Sequence, residues 1–312
     1  MVCEREVETL ILGAGTSGLI AGVFYPGSCI IEKRENAGGD FNNKYVPKYL
    51  HSDEGVLYLF GRVGLFPVFS KKSVGIFYKN KMFDFNDKSL GEKVVEEYSL
   101  KTKNRVDLKS MNRYLIREED SFISNEDELI HDLSLVSDIK LGEKVIDINL
   151  NECSVTTESG LVFTYKRLIS TLPINVFCKV AKRGCGIERM NKKIITVKLS
   201  DKFFCHDFIY FPEHTYLFNR INVREGYVDF EFTDVDRSED ELNKNIKDFL
   251  EYEKIIYNVF ISYLQGLNIY LKTSDLILPE NVLLLGRFAE GDYSIEIQDV
   301  VKKMRRHKWT VS

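Results

Sequence analysis

The strongest constraint on this chain is a series of glycines near its start. An apolar run over Glu8 to Leu12 leads into Gly13-Ala14-Gly15-Thr16-Ser17-Gly18. Then come Gly22, the run Ile30-Ile31-Glu32-Lys33-Arg34, and the pair Gly38-Gly39. The first run has the length and flanks of a buried parallel strand. Gly13 lets the chain turn off that strand, Gly15 lets backbone approach a pyrophosphate, and Gly18 lets the next helix pack closely. The pyrophosphate would lie on the amides of that helix N-terminus, where the dipole favours negative charge. Ser28 to Ile31 is the second strand. Glu32 at its end would accept hydrogen bonds from ribose hydroxyls and repel a 2′-phosphate. The set predicts a site for the ADP half of a dinucleotide, FAD or NAD over NADP, and the trailing Gly38-Gly39 points to FAD. Thirteen residues separate Gly18 from Glu32, so the helix is about a turn shorter than the usual spacing of ~20 allows. Pro26-Gly27 stops it early.

At 312 residues the chain is long enough for about two domains. Its net charge is -4, with no basic stripe, so nucleic acid is not expected as a partner. No apolar run approaches the ~18 residues of a membrane span. The charged start, Met1 to Glu6, passes directly into a strand and does not read as a signal peptide. Cys3, Cys29, Cys153, Cys178, Cys185 and Cys205 form no CxxC pair. They read as reduced thiols of a cytoplasmic protein, with a Cys178–Cys185 pairing or metal site as the minor alternative. The five histidines show no ligand spacing, and no metal is expected.

Further along, Val56 to Phe69 is apolar and aromatic, a helix and loop that could form a substrate-facing wall. Val74 to Phe85 reads as a hairpin turning at Lys79-Asn80. Glu92 to Lys103 and Ser110 to Glu118 read as helical or irregular, and Asn125 to Leu135 as a capped helix. Lys144–Asn149, Ser154–Thr157 and Leu161–Thr164 alternate with period two, as in an antiparallel meander. The meander runs into Arg167-Leu168-Ile169-Ser170-Thr171-Leu172-Pro173. Strands follow at 193–199 and 208–211. A hairpin is expected across 224–226, and an amphipathic helix from Ser238 to about Gln265. The last elements are strands at 267–272 and 282–285 and a helix from about Ile295.

In that order, the N-terminal glycines, the segment Leu168 to Pro173 and Asn281-Val282-Leu283-Leu284-Leu285-Gly286-Arg287-Phe288-Ala289 resemble the FAD-binding fold of a flavoprotein superfamily. Its members include flavin amine oxidases, protoporphyrinogen oxidase, phytoene desaturases and UDP-galactopyranose mutase. The resemblance spans the whole chain and is nearest to the mutase branch. Pro47-Lys48-Tyr49-Leu50-His51-Ser52 is similar to the mutase segment over the flavin, with His51 at its second histidine and Lys48 in place of the first. Leu217 to Ile221 looks like the strand bearing a substrate-side arginine. Gly286-Arg287 and Tyr293 look like the mutase's glycine–arginine and downstream tyrosine. Ile295 stands where that family tends to have an acid.

The resemblance implies an α/β fold: a discontinuous Rossmann-like FAD-binding domain (residues 1–45, 136–175 and 275–312) and a smaller, mostly β substrate domain (46–135 and 176–274). It implies that FAD is held by Gly13, Gly15, Thr16, Ser17, Gly18, Glu32, Lys33, Arg34, Gly38, Gly39, Val145, Thr171, Gly286 and Arg287. Val145 would present its backbone to adenine, or be an ordinary core residue. The C-terminal helix would bring its N-terminal amides to the flavin. His51, Lys48 and Arg220 are the candidate catalytic residues. Arg220 and Arg287 would clamp an anionic small-molecule substrate, unless Arg220 sits in a surface salt bridge. Tyr49, Tyr58, Phe60, Phe77 and Tyr78 either line a pocket or belong to the core. The leading expectation is an FAD-dependent oxidoreductase. The alternatives are a mutase-type isomerase using reduced FAD and a flavin-binding subunit without turnover. The oligomeric state stays open.

Overall fold

The computed structural model describes residues 4–39, 50–84, 91–102, 121–135, 137–184, 186–198, 204–224, 226–233, 236–255, 262–274, 276–292 and 295–307. The chain divides into two compact units. The first comprises Met1–Val68, Ile123–Arg189 and Tyr270–Ser312, and the second Phe69–Phe122 and Met190–Ile269. These limits differ from the sequence-based ones at 46–68, 123–135 and 176–189, and by a few residues at 270–274. In the first two of these stretches, helices Glu54–Val63 and Glu126–Leu135 bury Val56, Leu59, Phe60, Leu129, Ile130 and Leu133 in the same core as Leu19 and Ile20 of the first helix.

The first unit is built on a largely parallel sheet. Asp138–Lys140, Cys29–Ile31, Glu4–Leu12 and Val162–Ser170 lie side by side in parallel. On its far edge, Val162–Ser170 pairs in parallel with Val282–Leu284 over its last residues. Over its first residues it pairs antiparallel with Ser154–Thr157, which pairs in turn with Val145–Asn149. The expected meander is thus present, its third strand fused with the exit strand into the nine-residue Val162–Ser170. Along Glu4–Leu12, Ile11 joins a core shared with Thr16–Phe24, Glu54–Val63, Glu126–Leu135 and Ile297–Arg306. Leu10 and Leu12 join another with Ile148, Val155, Phe163, Ile174 and Phe177. Only the end of this strand, Thr9 to Leu12, is buried, whereas Glu4, Arg5, Glu6 and Glu8 are exposed. At that end Leu10, Ile11 and Leu12 are apolar on both faces, as a strand end with no solvent side requires. Each such side chain contributes about 1.5–3 kcal/mol by burial.

The second unit's sheet runs Ser262–Lys272, Ile187–Lys198, Tyr227–Thr233, Arg220–Arg224, Phe208–Tyr210, Val74–Tyr78, Lys81–Asp84. Lys79 and Asn80 both take positive φ, 49° and 59°, the signature of the two-residue hairpin turn that matches strand twist. One face carries a core of Phe77, Phe211, Tyr216, Phe218, Phe230 and Phe232. Leu242, Ile246 and Phe249 of helix Glu239–Tyr252 close it. Ser238 and Glu241 form the capping box that starts this helix. The helix ends well short of Gln265. Lys254 takes φ 55°. The N–H of Ile255 donates to Leu250 O at 2.8 Å and that of Lys254 to Glu251 O at 3.0 Å, a Schellman-type stop that apolar periodicity alone does not announce.

Phe60 and Phe77 are buried in these cores and Tyr78 is 7% exposed, in keeping with the core reading of these aromatics. Tyr58 stacks on Phe24, with the Arg305 guanidinium 4.0 Å from its ring centroid. Tyr49 and Ser110 to Glu118 lie outside the described residues. Cys178 is disulfide-bonded, whereas Cys29, Cys153 and Cys205 are free thiols. The expectation of six reduced cysteines therefore fails at Cys178, the cysteine for which pairing with Cys185 is the minor alternative; Cys185 lies outside the described residues. Among the described residues, no helix is long and apolar enough to cross a membrane.

Candidate functional site

The glycine series sits where the parallel strands end. Gly13 has φ 96°, and a Cβ there would stand 2.5 Å from Thr171 Oγ1. Thr171 is itself anchored to the end of the first strand, its hydroxyl donating to Leu12 O at 2.8 Å and its N–H to the same carbonyl at 2.8 Å. At Gly18, buried in the first turn of helix Thr16–Phe24, a Cβ would collide with the Gly13 carbonyl oxygen. The helix Thr16–Phe24 starts at Gly15, which provides no side-chain cap. A Cβ on Gly15 would meet nothing within 4 Å. Two independent demands for glycine thus separate cleanly. Gly13 and Gly18 need it for the fold, whereas Gly15 leaves clear space at a helix end whose first amides have no helical acceptor.

Glu32 ends the second strand buried, at 8% exposure. Its Oε2 accepts from the Ala14 N–H at 2.8 Å and its Oε1 from the Arg34 N–H at 2.9 Å. Each carboxylate oxygen keeps a lone pair for a further donor. Gly38 forms a bridge with Gly15, its N–H donating to Ala14 O at 2.7 Å. Gly39 comes so close that its Cβ would lie 3.0 Å from Gly15 Cα. The Glu143 N–H donates to Glu32 O at 2.9 Å, and that of Gly142 to Arg34 O at 3.1 Å. These bonds bring the start of Val145–Asn149 beside the acid-bearing turn. Val145 itself is half-buried, and Lys33 and Arg34 are exposed.

The third strand end carries Gly286, at φ 93°, where a Cβ would collide with the Ser17 side chain. Gly286 opens a single helical turn, Arg287–Glu290, closed by Gly291 in the left-handed conformation. The C-terminal helix begins later, at Ile297, two residues past its expected start. Its N-terminus is capped by the chain's own Glu296 and Asp299. Arg287 donates through Nε to Ile295 O at 3.1 Å, so part of this guanidinium braces the intervening loop.

In the second unit, Arg220 does not stand open. Its Nη2 donates to Glu231 Oε1 at 2.5 Å. Glu231 also takes Asn222 Nδ2 at 2.9 Å and faces the Lys192 ammonium at 2.8 Å. Asp229, two residues away on the same strand face, is gripped by Arg224 at 2.7 and 2.6 Å and by Thr196 at 2.7 Å. Burial alone would push the Glu231 carboxyl up, but Arg220 and Lys192 outweigh it and hold it far below the usual carboxylate range. Asp229 is pushed up by burial in spite of Arg224. Arg220 is thus neither a surface salt bridge nor an unpaired anion clamp. It belongs to a polar layer on the sheet face opposite the aromatic core.

His51 ends a two-residue strand, Leu50–His51, just before helix Glu54–Val63. Lys48 and Tyr293 lie outside the described residues. Sequence reasoning did not single out Ala14, Glu290 and Lys303 around the glycine turns, or Lys192, Asn222, Asp229 and Glu231 around Arg220. For the last group a signal existed. Arg220, Asn222 and Arg224 alternate on one strand and Asp229 and Glu231 on the next, a cross-strand charge pattern once the hairpin is placed.

No protein-family description matches the sequence, and no curated protein matches it at significant similarity. Solved structures do match in three dimensions. A reduced UDP-galactopyranose mutase superposes with a TM-score of 0.66 at 14% identity, covering 95% of this chain and 91% of its own. A conjugated-linoleic-acid-producing fatty acid isomerase from P. acnes gives 0.68 at 12%, covering 96% and 97%. A putrescine oxidase redesigned in its cofactor binding gives 0.63 at 11%, covering 97% and 98%. Over nearly its whole length the chain therefore has the mixed α/β, two-sheet fold of these enzymes.

Proposed function

We propose that this chain is an FAD-dependent enzyme, and specifically an oxidoreductase acting on a small molecule. The observation that carries the reading is the cradle at the ends of three parallel strands. Open space over Gly15 meets the uncapped start of a helix, with Gly38-Gly39 folded against it and a buried carboxylate that has lone pairs to spare. Ligands of open α/β sheets sit beyond such strand ends. The residues fit a dinucleotide. Gly13 to Gly18 would hold the pyrophosphate on backbone amides, Glu32 the ribose, and the chain near Val145 the adenine. Thr171, Gly286 and Arg287 would border the rest of the cofactor. When bound, FAD would supply a hydride acceptor to a substrate C–H next to nitrogen or in a saturated C–C bond. The fold shared with a putrescine oxidase supports this reading. The test is anaerobic mixing of the FAD-loaded protein with candidate amines and saturated substrates. Loss of the flavin's visible absorbance is expected with the true substrate class. A flavin that only dithionite can bleach contradicts an oxidoreductase.

A second reading is an isomerase that uses reduced FAD without net redox. It is favoured by the shared fold with a reduced UDP-galactopyranose mutase and a fatty acid isomerase. It predicts that uridine diphosphate perturbs the reduced flavin's spectrum, and absence of any perturbation removes it.

A further inference from the structure

Glu290 and Lys303 appear in no part of the cofactor cradle, yet they hold its third strand end in place. Glu290 Oε1 accepts from the Gly286 N–H at 3.0 Å. Its Oε2 is met by Lys303 Nζ at 2.6 Å, and the same ammonium donates to Leu284 O at 2.9 Å. The pair therefore grips the chain on both sides of Leu285, whose own N–H donates to Ser170 O at 3.0 Å. It is partly shielded, with side-chain exposures of 35% for Lys303 and 23% for Glu290. Lys303 comes from the C-terminal helix, whose Val300, Val301 and Met304 are buried, so its reach is fixed by core packing. Gly286 in turn lies against Ser17, the second residue of the helix that starts at Gly15. A shift of Gly286 is a shift against Ser17, because no free space separates them.

We infer that Glu290 and Lys303 are positioning residues for the cofactor. They clamp the Gly286 turn and, through the Gly286–Ser17 contact, set the helix N-terminus that receives the pyrophosphate. This inference rests on the FAD reading above. A turn with positive φ needs such a restraint, since the glycine that makes it possible is also the residue with most freedom to leave it. The ion pair supplies the restraint through charge-assisted hydrogen bonds, stronger than neutral ones.

The test uses the full chain and two readouts, FAD affinity of the apoprotein by flavin fluorescence and hydrogen exchange of the segment 282–291. In Glu290→Ala and Lys303→Met, exchange at Gly286 is expected to quicken and the FAD dissociation constant to rise, each about tenfold. Far-UV circular dichroism should not change. Lys303→Arg restores both quantities. Glu290→Gln, which keeps the acceptor for Gly286 N–H but loses the charge, falls between. Faster exchange with unchanged FAD affinity overturns the positioning role, as does unchanged exchange. A wild-type protein that takes up no FAD overturns the cofactor reading, and the positioning role with it. The exchange data would still report whether the pair holds the turn, so the two failures are told apart.

Discussion

The two units solve the same problem, holding polar groups in place, with opposite materials. In the first, the cradle is made of backbone, and its key positions are those where a side chain is forbidden: Gly13 against Thr171, Gly18 against the Gly13 carbonyl, Gly286 against Ser17. In the second, the polar layer is made of long charged side chains paired across strands, Arg220 and Lys192 on Glu231, Arg224 on Asp229. Backbone sites fail by steric intrusion: an added side chain at Gly13, Gly18 or Gly286 should cost the fold itself, whereas at the open Gly15 it should cost ligand before stability. Side-chain sites fail by leaving a charge unpaired and should lose stability first.

The largest expected effect breaks the side-chain layer. Glu231→Ala strands the Arg220 and Lys192 charges in a buried setting and is expected to cost about 3–5 kcal/mol, read as a lower urea midpoint. An unchanged midpoint would mean that solvent reaches the layer freely. Next comes the sharpest contrast, Gly15→Ala. The backbone there has φ -71° and open space, so thermal stability should hold. FAD affinity, however, should fall about tenfold or more, as a methyl keeps the pyrophosphate off the amides. A mutant that unfolds would move Gly15 into the class of Gly13 and Gly18.

Acid titration sharpens the same comparison. The folded-state pKa of Glu231 lies below its ordinary value of 4.5. Its contribution to stability is therefore complete above that value and is lost as pH falls below it. Asp229, raised above its ordinary 3.8, works in the opposite direction over a window just above that value. Urea midpoints at pH 5 and pH 3 should therefore fall in the wild type and fall less in Glu231→Gln. An equal drop in both would assign the acid sensitivity elsewhere. The smallest effect is Thr171→Val, which removes a hydroxyl that donates to Leu12 O at 2.8 Å and lies 3.2 Å from Gly13 O, and should cost about 1 kcal/mol while leaving the polar layer intact.

The same contrast explains what was legible in the sequence. The cradle was readable because a missing side chain is a property of the residue itself. Spacing alone placed Gly13, Gly15 and Gly18 on a strand–turn–helix, and Lys79-Asn80 on a hairpin turn. Arg220 was legible only in part: the hairpin across 224–226 sets its strand against that of Glu231, but Lys192, which shares that carboxylate, lies on a further strand whose register is set by tertiary pairing. The end of helix Glu239–Tyr252 was missed for a related reason. A non-glycine residue, Lys254, takes the left-handed position there, and its type gives no warning. Glu290 was missed because its task, reaching back to the Gly286 N–H, requires knowing that a helical turn begins at that glycine.

The most direct test of the account is the visible absorption spectrum of the purified chain after incubation with FAD and removal of free flavin. A cradle that binds FAD gives a protein-bound flavin spectrum, stoichiometric with the chain and bleached by anaerobic dithionite, and Gly15→Ala loses most of that absorbance at the same melting temperature. A folded wild-type protein that retains no flavin would contradict the FAD reading.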